Sequence, residues 1–165
     1  TPAPMHEYDE DAWDLNIAVV LKGVWLGMKY QIRHMLENGG GAIVNTPSIM
    51  GQVGTVDGNC AYVAAKHGVL GLTRSAALEY GKRGIRVNAV CPGFTNTALL
   101  ERAVNNITEK TGVSADQARA QFAETNPQGR LITPGEVAHT VAWLCHGDSG
   151  AITGQAIAVA GGEVM

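Results

Sequence analysis

The sequence predicts an α/β fold, a parallel sheet covered by helices on both faces, and three observations predict it. Segments with apolar residues at helical spacing alternate with short, almost continuous apolar runs. Those runs, at 42–45, 85–90 and 156–159, are too apolar for strands with one wet face and suit buried parallel strands. Glycine supplies 21 of 165 residues, nearly double its usual share of about 7%, and falls mostly at the joins between segments. With 45% hydrophobic residues the chain can bury one core, so 1–165 reads as a single domain without internal repeats.

The first element is a long helix over 13–36, free of proline, with Lys22, Lys29 and Arg33 at helical intervals. Asp9, Glu10, Asp11 and Asp14 crowd its start, where the helix dipole favours negative charge. Its middle is apolar on more than one side, so it should bury two faces, one against a sheet and one against a partner. Gly39-Gly40-Gly41 ends it, and the strand 42–45 follows. A glycine-containing loop, 48–59, leads into a second helix, 60–80, which stops at Gly81. The strand 85–90 is broken by Cys91-Pro92-Gly93. Residues 96–124 form a helical excursion of mixed polarity, and 127–134 a linker. Pro134 suits the first turn of a third helix, 135–145, where its missing N–H is not needed. The strand 156–159 closes the order and ends at Gly161-Gly162.

Composition removes several function classes. Lysine and arginine total 12 against 15 acidic residues, for a net charge of −3 without a basic stripe, which gives a nucleic-acid backbone or an acidic membrane nothing to attract it. The longest uncharged stretch, 38–56, holds five glycines and cannot span a membrane. Three scattered cysteines, Cys60, Cys91 and Cys145, argue against a disulfide framework and for a reducing, cytoplasmic setting. The five histidines show no metal-ligand spacing, so no metal site is expected.

One spacing does carry chemistry. Tyr62 and Lys66 stand four residues apart on the second helix, hence on one face, where an ammonium can favour a phenolate. A phenol ordinarily loses its proton near pH ~10; a lower value would let Tyr62 exchange a proton with a carbonyl or alcohol oxygen. Ser48 follows the first strand at its C-terminal end, the edge where open parallel sheets bind ligands, and its hydroxyl can stabilise a developing oxyanion.

The segments Ile43-Val44-Asn45-Thr46-Pro47-Ser48, Tyr62-Val63-Ala64-Ala65-Lys66-His67-Gly68, Ile85-Arg86-Val87-Asn88-Ala89-Val90-Cys91-Pro92-Gly93 and Ile152-Thr153-Gly154-Gln155, with Gly161-Gly162, occur in an order that resembles the short-chain dehydrogenase/reductase family. The resemblance implies an incomplete Rossmann-type doubly wound sheet in three α/β/α layers, corresponding to the C-terminal half of that fold. It implies that Tyr62 is the general acid/base, that Ser48 polarises the substrate carbonyl, and that Lys66 holds the nicotinamide ribose while lowering the Tyr62 pKa. Pro92, Gly93 and Phe94 would lie along the nicotinamide of NAD or NADP, Thr97 would reach its carboxamide or a phosphate, and 96–127 would be the family's variable substrate loop, a lid. The implied reaction interconverts a small secondary alcohol and a ketone, including 3-hydroxy or 3-oxo acids and acyl thioesters. The long first helix and the second helix resemble the pair with which the family builds dimers and tetramers, which implies a homo-oligomer.

The sequence departs from that family in three places. No T-G-x-x-x-G-x-G turn or N-N-A-G occurs in it, and the chain begins at Thr1 rather than Met, which suggests a C-terminal portion without the pyrophosphate site. The absence of the strands that would accompany that turn would leave one sheet edge unpaired. Val20 stands where the family carries an active-site Asn, and Val cannot hold a water by hydrogen bonding. Pro47 precedes Ser48 where a Ser is frequent, and 14 residues separate Ser48 from Tyr62, one more than expected. The competing reading is a catalytically inactive remnant that serves as an oligomerising or interaction module.

Overall fold

A computed structural model describes residues 2–56 and 58–165. The first long helix starts three residues earlier than expected because Asp9 is its cap, accepting the Ala12 N–H at 2.8 Å. It runs as α1 (Glu10–Asn16), a π-helical stretch (Ile17–Lys22) and α2 (Gly23–Glu37). Nothing in the local sequence, which lacks proline there, signals the π segment. Then follow β1 (Gly41–Asn45), α3 (Cys60–Tyr80), β2 (Ile85–Pro92), α4 (Ala98–Thr111), α5 (Ala115–Glu124), α6 (Pro134–Cys145) and β3 (Ala156–Val159).

The strands form a parallel sheet in the order β1-β2-β3, with Gly41 opposite Ile85 and Ala89 opposite Ala156. Strand alternation assigns the two faces. Ile43, Ile85 and Val87 point to one side, where Met28 and Ile32 of α2 and Ala76 and Ala77 of α3 close over them. Ala89 and Cys91 continue that face beneath Leu70 of α3. Arg86 points to the other side, and its guanidinium donates to the Leu144 carbonyl at 2.8 Å and the His146 carbonyl at 3.1 Å, which caps the end of α6. The predicted α/β/α layering is therefore present, with α2 and α3 on one face and α6 on the other. Among the described residues, β1 pairs only with β2 and its outer edge carries no strand.

Asn88 explains why two separated motifs belong together. It is 1% exposed; its side chain donates to the Ile152 carbonyl at 2.9 Å and accepts the Gln155 N–H at 3.0 Å. The Val87 N–H adds a bond to the Thr153 hydroxyl at 3.1 Å. The turn before β3 is thus fastened to β2, so that β3 starts in register.

Two elements carry more detail than the sequence shows. On the first helix Met28 and Ile32 are covered, while Leu15, Val19, Leu26 and Tyr30 form an exposed stripe on the side expected to meet a partner. Residues 96–124 are two helices, because Gly112 takes a left-handed φ of 75° after α4 and a Ser114–Gln117 capping box starts α5. The smaller differences are at boundaries: β2 continues through Pro92, and Pro134 occupies the first turn of α6 as predicted, behind a Thr133–Glu136 capping box. No helix among the described residues is long and apolar enough to cross a membrane.

Candidate active site

The C-terminal ends of β1 and β2 open at one edge of the sheet, and a cavity of about 540 Å³ lies there. β1 delivers Ser48 through Thr46 and the buried Pro47, and the short 3-10 turn Ile49–Gly51 holds it in place. Its Oγ accepts the Met50 N–H at 3.2 Å, which leaves the hydroxyl proton available to a partner. Gly51 allows this turn to lie directly on α3: a Cβ there would stand 2.9 Å from the Lys66 carbonyl oxygen. The glycine therefore sets how close the serine comes to the helix carrying Tyr62 and Lys66.

Ser48, Tyr62, Gly93, Phe94 and Thr97 all line this cavity. Lys66 adjoins it, with Nζ over the Tyr62 ring at 5.2 Å from the centroid and a 3.4 Å bond to the Thr46 carbonyl. The helical spacing thus brings phenol and ammonium onto one face, as i and i+4 require. Pro92 ends β2 opposite Val159 and does not line the cavity. The Thr97 hydroxyl accepts the Leu100 N–H at 3.4 Å and so caps α4.

The electrostatics differ from the sequence expectation in one respect. Burial pushes the Tyr62 phenol above its ordinary value, and the hydrogen bond from Ser48 offsets part of that. Burial also pulls the Lys66 ammonium below its ordinary value, and the neighbouring Cys91 opposes this. Cys91, fully buried behind the site, has its thiol pushed up by burial. For Tyr62, desolvation outweighs the hydrogen bond from Ser48, so its proton is held more tightly than in water.

Val20 falls within the π-helical stretch. Asn16, one turn earlier, is committed elsewhere: its amide donates to the Ala12 carbonyl at 3.0 Å and to the Tyr8 hydroxyl at 3.4 Å. The segment 96–127, which the resemblance marks as a substrate loop, supplies the opposite wall of the cavity, although the sequence did not single out which of its residues do so. Leu100 and Ala103 of α4 and Phe122 of α5 form it, with Met50 at the near side. Phe122 stacks at a tilt on Phe94, with centroids 5.0 Å apart. The only available signal was that Phe122 is the sole aromatic residue in a polar helix.

The residues suit the nicotinamide end of a dinucleotide better than its other half. A phenol, an ammonium and the backbone at Gly93 converge at one cavity, whereas no glycine-rich strand-to-helix turn for a pyrophosphate occurs in the sequence.

Comparison with known proteins points to one family. The family described as enoyl-(acyl carrier protein) reductase matches residues 1–163. The cis-4-hydroxycyclohexanecarboxylate dehydrogenase of Sinomonas cyclohexanicum is 45% identical over 97% of this chain and 59% of its own length. The (3R)-3-hydroxyacyl-CoA dehydrogenase of Homo sapiens is 41% identical over 94% of this chain and 56% of its own. The crystal structure of levodione reductase superposes with a TM-score of 0.88 at 33% identity, covering 99% of this chain and 62% of that one. A substituted actinorhodin polyketide ketoreductase, crystallised with NADPH, gives 0.86 at 36% identity, covering 99% and 64%. The chain therefore spans somewhat more than half the length of the curated relatives it matches.

Proposed function

The chain belongs to the short-chain dehydrogenase/reductase family, and from that premise we propose that it carries the proton-transfer site for nicotinamide-dependent interconversion of a secondary alcohol and a ketone. The observation that carries this reading is the meeting of Ser48 and Tyr62 on one cavity with Lys66 against the Tyr62 ring.

In the reductive direction Tyr62 donates its phenolic proton to the substrate oxygen as negative charge develops there, and Ser48 donates a hydrogen bond to the same oxygen. The raised phenol pKa suits an acid that keeps its proton until the oxygen needs it. In the oxidative direction the phenolate receives the proton, and the Lys66 ammonium nearby stabilises the anion. A nicotinamide, when bound, supplies or accepts the hydride. Lys66 and Thr97 would hold its ribose and carboxamide, with Pro92, Gly93 and Phe94 along the ring. Either NAD or NADP fits this reading.

A finer form of the same reading takes a 3-hydroxy acid or its acyl thioester as substrate, supported by the identity to the human 3-hydroxyacyl-CoA dehydrogenase. A purely structural interaction module is less well supported, because such a role gives no reason for a serine and a tyrosine to line one cavity with a lysine against the tyrosine ring. We also propose that the exposed stripe of Leu15, Val19, Leu26 and Tyr30 self-associates into a dimer or tetramer in the cytoplasm. Sedimentation should show a species above monomer mass, and a clean monomer at micromolar concentration contradicts it.

Isothermal titration with NADH and NADPH tests the main reading. Saturable heat from one of them is the expected result. Absence of heat from both at millimolar cofactor contradicts stand-alone catalysis by this chain.

A further inference from the structure

The cavity wall is chemically one-sided. None of its described lining residues carries a formal charge, and apart from the reacting end at Ser48 and Tyr62 its polar side chains are Asn59, Thr95 and Thr97. Two of these are already engaged: the Thr95 hydroxyl donates to the Gly93 carbonyl at 3.0 Å, and Thr97 caps α4. The rest of the surface comes from Ile49, Met50, Phe94, Leu100, Phe122 and their neighbours.

The charges nearest the cavity do not help an anion. Lys66, the cation by the reacting end, sits against the Tyr62 ring and does not line the cavity. At the other side the Glu163 carboxylate packs against Gly93, and it accepts the Thr125 hydroxyl at 2.8 Å. A carboxylate or phosphate drawn into this space would lose its hydration with no lining cation in return. An apolar ring or alkyl chain loses nothing there and gains contact with Phe94, Phe122 and Leu100.

We propose that this cavity selects substrates that are uncharged around the reacting alcohol or ketone, and excludes those that carry a carboxylate or phosphate beside it, with α4 and α5 supplying the selecting wall. The inference rests on the oxidoreductase reading for the identity of the reacting group, but the selectivity itself is a property of the wall. Of the two finer substrates proposed above, the inference therefore keeps the acyl thioester and drops the free 3-hydroxy acid.

The test compares cyclohexanone with 4-oxocyclohexanecarboxylate, which differ by one charge, as ligands of the full chain followed by amide NMR. Cyclohexanone should perturb Phe94, Thr95 and Leu100 and bind about ten-fold or more tightly than the carboxylate. Leu99→Arg places a cation at the exposed rim of the same wall and should close most of that gap by strengthening carboxylate binding. Equal or tighter binding of the carboxylate to the unsubstituted chain overturns the inference, as does failure of Leu99→Arg to improve it. Failure of both ligands to move these amides overturns the cavity as a binding site. Turnover separates this from the catalytic reading. Cyclohexanone bound selectively but never reduced with NADH or NADPH contradicts the catalytic reading and leaves the selectivity standing; both ketones reduced equally does the reverse.

Discussion

β2 with α3 and α4 with α5 face each other across one cavity, yet they are built on different principles. Ile85, Val87, Ala89, Val90 and Cys91 of β2 are fully buried, and α3 lies along them with Ala65, Val69 and Leu70 covered. The α4–α5 pair buries only Leu100, Val104 and Ala118 in a small cluster of its own, and joins its helices at the surface through Arg119 and Glu101, 2.7 Å apart. The side chains assigned to proton transfer sit on the first scaffold and those assigned to selection on the second. Chemistry needs fixed distances, which dense packing supplies, whereas a wall that only chooses among apolar shapes tolerates a weaker, more local core.

Predictions follow from that contrast in order of size. Ile85→Ala should cost about 2–5 kcal/mol of global stability in denaturant unfolding, because the side chain is fully enclosed. Ser48→Ala should lower turnover about 100-fold with much less effect on unfolding, the size expected for losing one donor to a developing oxyanion. Val104→Ala should cost about 2 kcal/mol and speed hydrogen exchange in α4 and α5 while leaving β2 amides protected. If Val104→Ala instead lowers protection of β2 to the same extent, the two regions open as one unit and the contrast fails.

The smallest effect concerns the linker into α6. Arg130 donates to both Glu136 carboxylate oxygens, and the Thr133 N–H and hydroxyl add to them, so the carboxyl falls from 4.5 to about 2. The folded state therefore holds this group charged at pH values where the unfolded chain takes up a proton. Its contribution is complete above pH 4.5 and disappears as pH falls towards 2. Because the pair is exposed, solvent screens it and the effect is modest. Glu136→Gln should flatten the acid limb of a stability profile between those two values; an unchanged slope contradicts this.

Much of the scaffold was legible in the sequence because it rests on patterns that span only a few residues. Three apolar runs became the three strands, Pro134 opened α6, and the four-residue spacing of Tyr62 and Lys66 became one helical face. The parts that were not legible depend on contacts distant in sequence. The π-helical turn at Ile17–Lys22 has no local marker. The break at Gly112 and the Ser114–Gln117 box were visible as residues, but mixed polarity hid the turn between α4 and α5. The rise in the Tyr62 pKa also escaped, since spacing displays the neighbouring ammonium but not how much water the fold removes from the ring.

That rise gives the central claim its sharpest test, because a phenol held protonated in a half-buried site should matter only when a proton moves. Turnover of a neutral ketone should be compared for the unsubstituted chain and Tyr62→Phe under saturating NADH or NADPH, with cofactor affinity measured in parallel. The account predicts a loss of at least about 100-fold in turnover with cofactor affinity nearly unchanged. Turnover that survives the loss of the hydroxyl would contradict it.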